Sequence, residues 1–222
     1  MKTTGAGKPD TEGLRERKKR AMRQQLSDTA ARMFVERGFD AVRVGEVAEA
    51  CGVSEKTVFN YFPSKEALVL DRLESTADAL RTLADPALAP VAAMLRILDE
   101  ELRGLTANVT SAAALARYRR FGDLIRDTPS LRAYQNDIAD RFVDVAADVL
   151  AARAGLHAAD PEPQIAAAAL LGLWRIQFRA LRIELRPGRP VDEAVTAVRR
   201  QVRRAASLIE DGLATFLAPA TP

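Results

Sequence analysis

The most specific spacing in the chain lies in VGEVAEACGVSEKTVFNYFP, residues 44–63. Its chemistry is recognition rather than bond-making. Two short helices can cross steeply only where a small residue sits at their contact, and Ala48 supplies one. Four residues on, Gly52 supplies the positive φ that the turn requires. Val47, Cys51, Val53, Val58 and Tyr61 fall on positions that must face inward. Ser54 is placed to cap the second helix, its hydroxyl accepting from a free N–H of the first turn. This is the logic of a helix-turn-helix, which sets a short helix into the major groove of DNA. An αα-corner with no DNA role would satisfy the same packing, so spacing alone leaves both open.

Catalytic groupings are scarce. The chain has one histidine, His157, in the Ala/Pro-rich connection GLHAADPEP, and one cysteine, Cys51, on an inward position of the motif. Ordinary Cys/His zinc sites are therefore out of reach, and a Ser-His-Asp mechanism would rest on a loop histidine. No nucleophile–base spacing appears; carboxylate-only chemistry stays open. The expectation is a protein that is not an enzyme and uses no metal or cofactor.

The longer stretch GFDAVRVGEVAEACGVSEKTVFNYFPSKEALV resembles the signature of the TetR family of transcriptional regulators, and YFPSKEAL (61–68) is its most family-specific part. With the preceding helix the likeness covers roughly residues 20–80. It implies that the second short helix is a recognition helix, with Glu55, Lys56 and Thr57 near base edges and Asn60 one turn on. In that setting Lys56 can donate to guanine, Asn60 can bridge adenine, and Thr57 can touch a thymine methyl or a phosphate. Glu55 can accept from cytosine or simply favour the start of its helix. Tyr61 would offer its hydroxyl to a phosphate while its ring helps fill the core. Lys65 matches a family phosphate contact, where charge and helix N-terminus act together. One departure is Arg43, where the family often has threonine or serine: the cap is lost and a long-reaching cation, a further phosphate contact, is gained.

The elements that must position these residues follow from composition and punctuation. Of 222 residues, 48% are hydrophobic and 28% charged, with no alternating β-branched stretch, which points to an all-α globular fold. No apolar run reaches the ~18 residues of a membrane span. The lone cysteine suits a reducing cytoplasm. Net charge is +3, with a pI near 9.2. Between Lys8 and Arg23 seven basic residues face three acidic ones, a solvated arm or one that adds phosphate neutralisation. Residues 1–13 read as a flexible tail. The DNA-binding domain reads as 14–82, its motif at about 43–62, with helices at about 14–37, 44–50, 54–61 and 64–82. The DPALAP segment, 85–90, marks the boundary. The domain at 83–222 reads as helices at about 91–106, 111–126, 131–154, 164–185 and 191–217.

In the last helix Val191, Val195, Val198, Val202, Ala205, Ile209, Leu213 and Phe216 form one apolar stripe. With the helix before it, this predicts a four-helix homodimer interface, which the resemblance also implies; burial within one subunit is the alternative. Arg199, Arg200, Arg203 and Arg204 read as its solvated back. The resemblance further implies a ligand cavity in this domain, for which Met94, Leu98, Tyr118, Phe121, Tyr134, Phe142, Trp174, Gln177 and Phe178 are the candidate lining. The stretch RYRRFGDLIRDTPSLRAY (117–134) is similar to regulators held to sense acyl-CoA-like molecules. The reading is a repressor released from near-palindromic double-stranded operator DNA by a mostly apolar effector. A DNA-binding protein without effector, and a lipid or acyl-CoA-like binding protein, are the alternatives.

Overall fold

The computed structural model describes residues 13–70 and 73–216, with the side chains of 73–75 and 211–216 excepted. Most of the expected tail, and the side chains of Leu213 and Phe216, lie outside the described residues. Among those described there are helices and no strands. The chain divides into two compact units, Met1–Asp71 and Arg72–Pro222.

The first unit holds α1 (Leu14–Arg37), α2 (Val44–Ala50), α3 (Glu55–Tyr61) and α4 (Lys65–Leu70). Leu26, Ala30 and Phe34 recur at helical spacing on α1 and are fully buried, as are Val42, Val47, Val58, Phe62 and Leu68. The Phe34 and Phe39 rings sit 5.1 Å apart at its centre. Ser27 donates to the Leu68 carbonyl at 3.2 Å, satisfying a buried hydroxyl and tying α1 to α4.

The second unit holds α5 (Leu73–Leu80), a 3-10 turn (Arg81–Ala84), α6 (Pro90–Asn108), α7 (Ala112–Asp127), α8 (Pro129–Ala154), α9 (Pro161–Glu184) and α10 (Val191–Phe216). Of the stretch expected as one helix over 64–82, Lys65–Leu70 and Leu73–Leu80 are helical and Arg81–Ala84 forms the 3-10 turn, residues 71–72 lying outside the described residues; Thr76, Leu80 and Leu83 are buried. Helices α6, α8 and α9 each begin one to three residues earlier than expected, because their prolines sit inside the first turn. There a missing N–H costs nothing. Helix α9 is the unit's spine and packs against α8 and α10. Arg153 donates to the carbonyls of Leu83 and Asp85 (3.1 and 3.0 Å), holding the segment before α6 against α8.

Candidate functional site

The turn between α2 and α3 forms as its residues require. Gly52 has φ +69, and the N–H of Val53 reaches back to the Ala48 carbonyl at 3.0 Å. Ser54 caps α3: its Oγ accepts from the Thr57 N–H at 3.1 Å and lies 2.8 Å from the Thr57 hydroxyl. Thr57 is therefore half-buried and tied into the cap. Val58 is buried, which leaves Glu55, Lys56, Phe59 and Asn60 exposed on the opposite face. Phe59 was not among the expected site residues; at 46% exposure beside Lys56 and Asn60 it offers an apolar surface of the kind that meets a thymine methyl.

Three inward assignments shift. Tyr61 is only half-buried, and the adjacent Phe62 fills the core instead. The reason is that α3 ends at Tyr61: Phe62 is already extended (φ −134, ψ 120), so helical periodicity no longer decides which ring points in. The Arg23 guanidinium lies 4.8 Å over the Phe62 ring and donates to the Tyr61 carbonyl at 2.9 Å, fixing this corner. Cys51 and Val53 are also only half-buried.

Arg43 stands at the start of α2 and is exposed. A guanidinium has no acceptor with which to cap, and Glu46 makes good part of the loss. Its Oε2 accepts from the Arg43 N–H at 2.7 Å, while Oε1 accepts from Arg37 at 2.7 Å. These bonds, the Arg43 N–H first and the Arg37 guanidinium next, hold the Glu46 carboxyl below the usual carboxylate range. The signal was in the sequence as a glutamate three residues after the cap position. Glu55 turns its carboxylate back over the first turn of α2: a Cβ on Gly45 would lie 3.1 Å from Glu55 Oε2, so only glycine permits this approach without a shift. Lys65 opens α4, which Ser64 caps by accepting from the Ala67 N–H at 3.2 Å. Its Nζ is held 4.4 Å from the Phe39 ring centre and 5.6 Å from that of Phe34. Arg43, Lys65, Glu46 and Glu55 all border one open hollow of about 570 Å³.

In the second unit the expected ligand-lining residues divide. Met94, Leu98, Phe142, Trp174 and Gln177 are buried, Tyr118, Phe121 and Tyr134 are half-buried, and Phe178 is exposed. Trp174 organises the buried group: Phe142 meets it edge-on at 5.9 Å and Phe178 at 4.5 Å. At its polar end stands a residue that sequence reasoning missed. Glu101 accepts from Trp174 Nε1 (3.1 and 3.0 Å), Gln177 Nε2 (3.2 Å) and Thr76 Oγ1 (3.3 Å). Burial pushes the Glu101 carboxyl above its usual range against those bonds. The Tyr118 hydroxyl is pushed up to about 12, first by burial and then by the charge of Glu101. Glu101 lies four and three residues beyond Ile97 and Leu98, which are on the buried stripe of α6, and that register was the available clue. A separate open hollow of about 440 Å³ is lined by Ala84, Asp148, Val149, Ala152 and Arg153, none of them expected.

The expected dimer stripe is placed differently. Val195, Val198 and Val202 are buried within the chain itself, because α10 packs on α9 and α6; Ile209 is half-buried. Arg199 is not a purely solvated residue, since its Nε donates to Asp99 Oδ1 at 2.9 Å. What lies open is another stripe: Ile165 (70% exposed) and Ile183 (56%) on α9, with the half-buried Gly172 and Ile176 between them at helical spacing, and Leu208 exposed on α10.

The family model of bacterial regulatory proteins of the tetR family matches residues 26–71, and that of the MftR C-terminal domain matches residues 92–213. The chain belongs to the TetR family. It is 30% identical over 183 residues to the transcriptional regulator TcmR of Streptomyces glaucescens, covering 77% of each chain. It is 29% identical over 149 residues to MftR of Mycobacterium tuberculosis, a regulator named for mycofactocin biosynthesis, covering 67% of this chain and 73% of that one. Over the shorter span of 76 residues it is 38% identical to the regulator RutR of Escherichia coli, covering 34% of this chain and 35% of that one. This TetR-family chain is accordingly a DNA-binding transcriptional regulator, with an N-terminal helix-turn-helix and a C-terminal helical domain. Regulators of the family bind operator DNA and form dimers. No helix among the described residues is long and apolar enough to cross a membrane.

Proposed function

We propose that the protein is a dimeric repressor whose α3 helices read a near-palindromic operator and whose C-terminal domain releases it on binding a mostly apolar small molecule. The carrying observation is the division of α3: Val58 and the following Phe62 anchor it, while Glu55, Lys56, Phe59 and Asn60 stand free together. Lys56 and Asn60 carry base readout, with Phe59 beside them. Arg43, Lys65 and the Tyr61 hydroxyl meet phosphate, Ser54 and Thr57 hold the helix start, and Glu55 sets the approach of α3 to α2. Two-fold symmetry then requires half-sites about 34–36 Å apart or a multiple of that. The open stripe of α9 supports the dimer, since exposed apolar side chains at helical spacing call for a partner. The ring cluster at Trp174 supports an effector with an apolar body. A switch of ~10²-fold in DNA affinity needs about 2.7 kcal/mol of coupling between effector and operator.

Operator binding of single variants tests the reading. Lys56→Ala or Asn60→Ala costs about 1–3 kcal/mol and relaxes preference at one operator position. Lys65→Ala weakens all sequences alike and flattens the salt dependence by about one unit of slope. Unchanged affinity and preference in both Lys56→Ala and Asn60→Ala would reject this docking of α3.

A further inference from the structure

Glu101 is a half-buried carboxylate whose oxygens, among the described residues, hold neutral donors: an indole N–H, an amide N–H and a hydroxyl. Next to it Gln177, 1% exposed, spends its amide N–H groups on the Leu98 carbonyl (3.2 Å) and on Glu101. Its Oε1 is buried without a partner among the described residues. Turning the amide over would not help, because both groups that now accept from Nε2 would then face an oxygen. Gln177 thus carries a buried, unpaired acceptor next to a half-buried carboxylate whose own oxygens already hold donors, and a buried acceptor left unpaired is costly. Around them stand aromatic rings: Trp174 between Phe142 and Phe178, and Tyr118 within reach of the Glu101 charge. Phe178 is 39% exposed, so the cluster begins one ring beneath the surface.

We propose that the Glu101–Gln177–Trp174 cluster is the polar end of the effector site and that it takes a protonated amine carried on an apolar body. An ammonium brings several N–H donors, enough for the Glu101 carboxylate and Gln177 Oε1 together, and a charge opposite to that of Glu101. Its flanking CH₂ groups and residual charge suit the faces of Trp174 and Phe178. An alcohol supplies one donor and no charge. A carboxylate meets Glu101 as a like charge. The proposal rests on the reading of this unit as an effector domain and adds the chemistry of what it takes.

The test is a matched series on the full-length protein: octylamine, octanol and octanoate at neutral pH, titrated by calorimetry and by the emission of Trp174, the chain's single tryptophan. Octylamine should bind about tenfold tighter than octanol, and octanoate weaker than octanol. Glu101→Gln should bring amine and alcohol to within about twofold while leaving the affinity for alcohol in place. Calorimetry reads the variant, since its tryptophan has lost an acceptor. If the variant does not fold, the wild-type ranking alone decides. Octanol or octanoate binding as tightly as octylamine, or a preference that survives Glu101→Gln, overturns the amine assignment and leaves the effector domain standing. No binding of any of the three at millimolar concentration overturns the site itself; release of operator DNA by other compounds then judges the effector domain separately.

Discussion

The two units invert one another. In the first, charged and polar groups stand outside and are satisfied close by: Glu46 on the Arg43 N–H and Arg37, Ser54 on Thr57. The side chains that must be held still are pinned from beneath, as Lys65 is over Phe39. In the second, a carboxylate is turned inward among neutral donors, while isoleucines at 165 and 183 and Leu208 are left outside. The first unit keeps its charged groups outside in the ordinary way, and the second breaks the inside–outside rule in both directions. A highly charged polymer calls for fixed polar groups on a surface; a small apolar molecule and a second subunit call for buried polar points and an open apolar stripe. Departures from the rule are the most informative residues in this chain.

The largest expected effect separates the two apolar stripes of the C-terminal unit. Val202 is buried against its own chain and Ile183 is open. An aspartate at 202 would bury an unpaired charge and cost about 5 kcal/mol, enough to unfold the unit. An aspartate at 183 meets water in the single chain, so the fold survives and only the dimer is lost. Helical circular dichroism and light scattering on the two variants read the difference. A folded monomer from Val202→Asp, or an intact dimer from Ile183→Asp, would reverse the assignment of the two faces.

That contrast also marks how far the sequence could be read. Wherever function depends on local spacing, the residues were legible: Ala48, Gly52, Val58 and Ser54 each sit within one turn of their partners, and the prolines at 90, 129 and 161 announce helix starts to within three residues. What periodicity could not say is which element covers a face. It found the stripe of Val195, Val198 and Val202 but not that α9 and α6 already bury it. It failed again at Phe62, one residue past the end of α3, where the 3.6-residue repeat stops applying. Glu101 was passed over because a charged residue is expected to point outward, and only the placement of α9 across α6 shows that it does not.

The corner at Tyr61 and Phe62 gives the next effect in size. Phe62→Ala removes a buried ring and should cost about 3–4 kcal/mol, weakening operator binding through loss of the folded motif. Tyr61→Phe removes only a hydroxyl from a half-buried ring and should leave stability within about 0.5 kcal/mol. Any loss of DNA affinity in that variant then belongs to a phosphate contact. Thermal melting followed by circular dichroism, set beside operator titration, separates the two. Equal destabilisation by both changes would mean that Tyr61 shares the core after all.

The smallest effect is a pair of slopes with pH, and it is the most direct test of the inversion. Glu46 has its pKa lowered, by the Arg43 N–H and then by Arg37, so the unfolded chain holds the proton more tightly than the folded one. Its contribution is present above the unfolded value of 4.5 and fades as pH falls through the lowered one. Glu101 has its pKa raised, by burial working against the bonds from Trp174, Thr76 and Gln177, and its charge in turn raises the Tyr118 hydroxyl. Here the folded chain holds the proton more tightly, so stability is favoured at low pH and declines as pH rises from 4.5 through the raised value. Denaturant titrations of wild type, Glu46→Gln and Glu101→Gln across the acid range convert these signs into slopes. The wild-type advantage over Glu46→Gln should grow with rising pH, and that over Glu101→Gln should shrink. Trp174 emission follows the second unit and circular dichroism follows both, so each slope can be assigned to its own transition. Slopes of one sign in both pairs would mean that the two glutamates sit in equivalent surroundings, and the contrast drawn between the units would fail where it is sharpest.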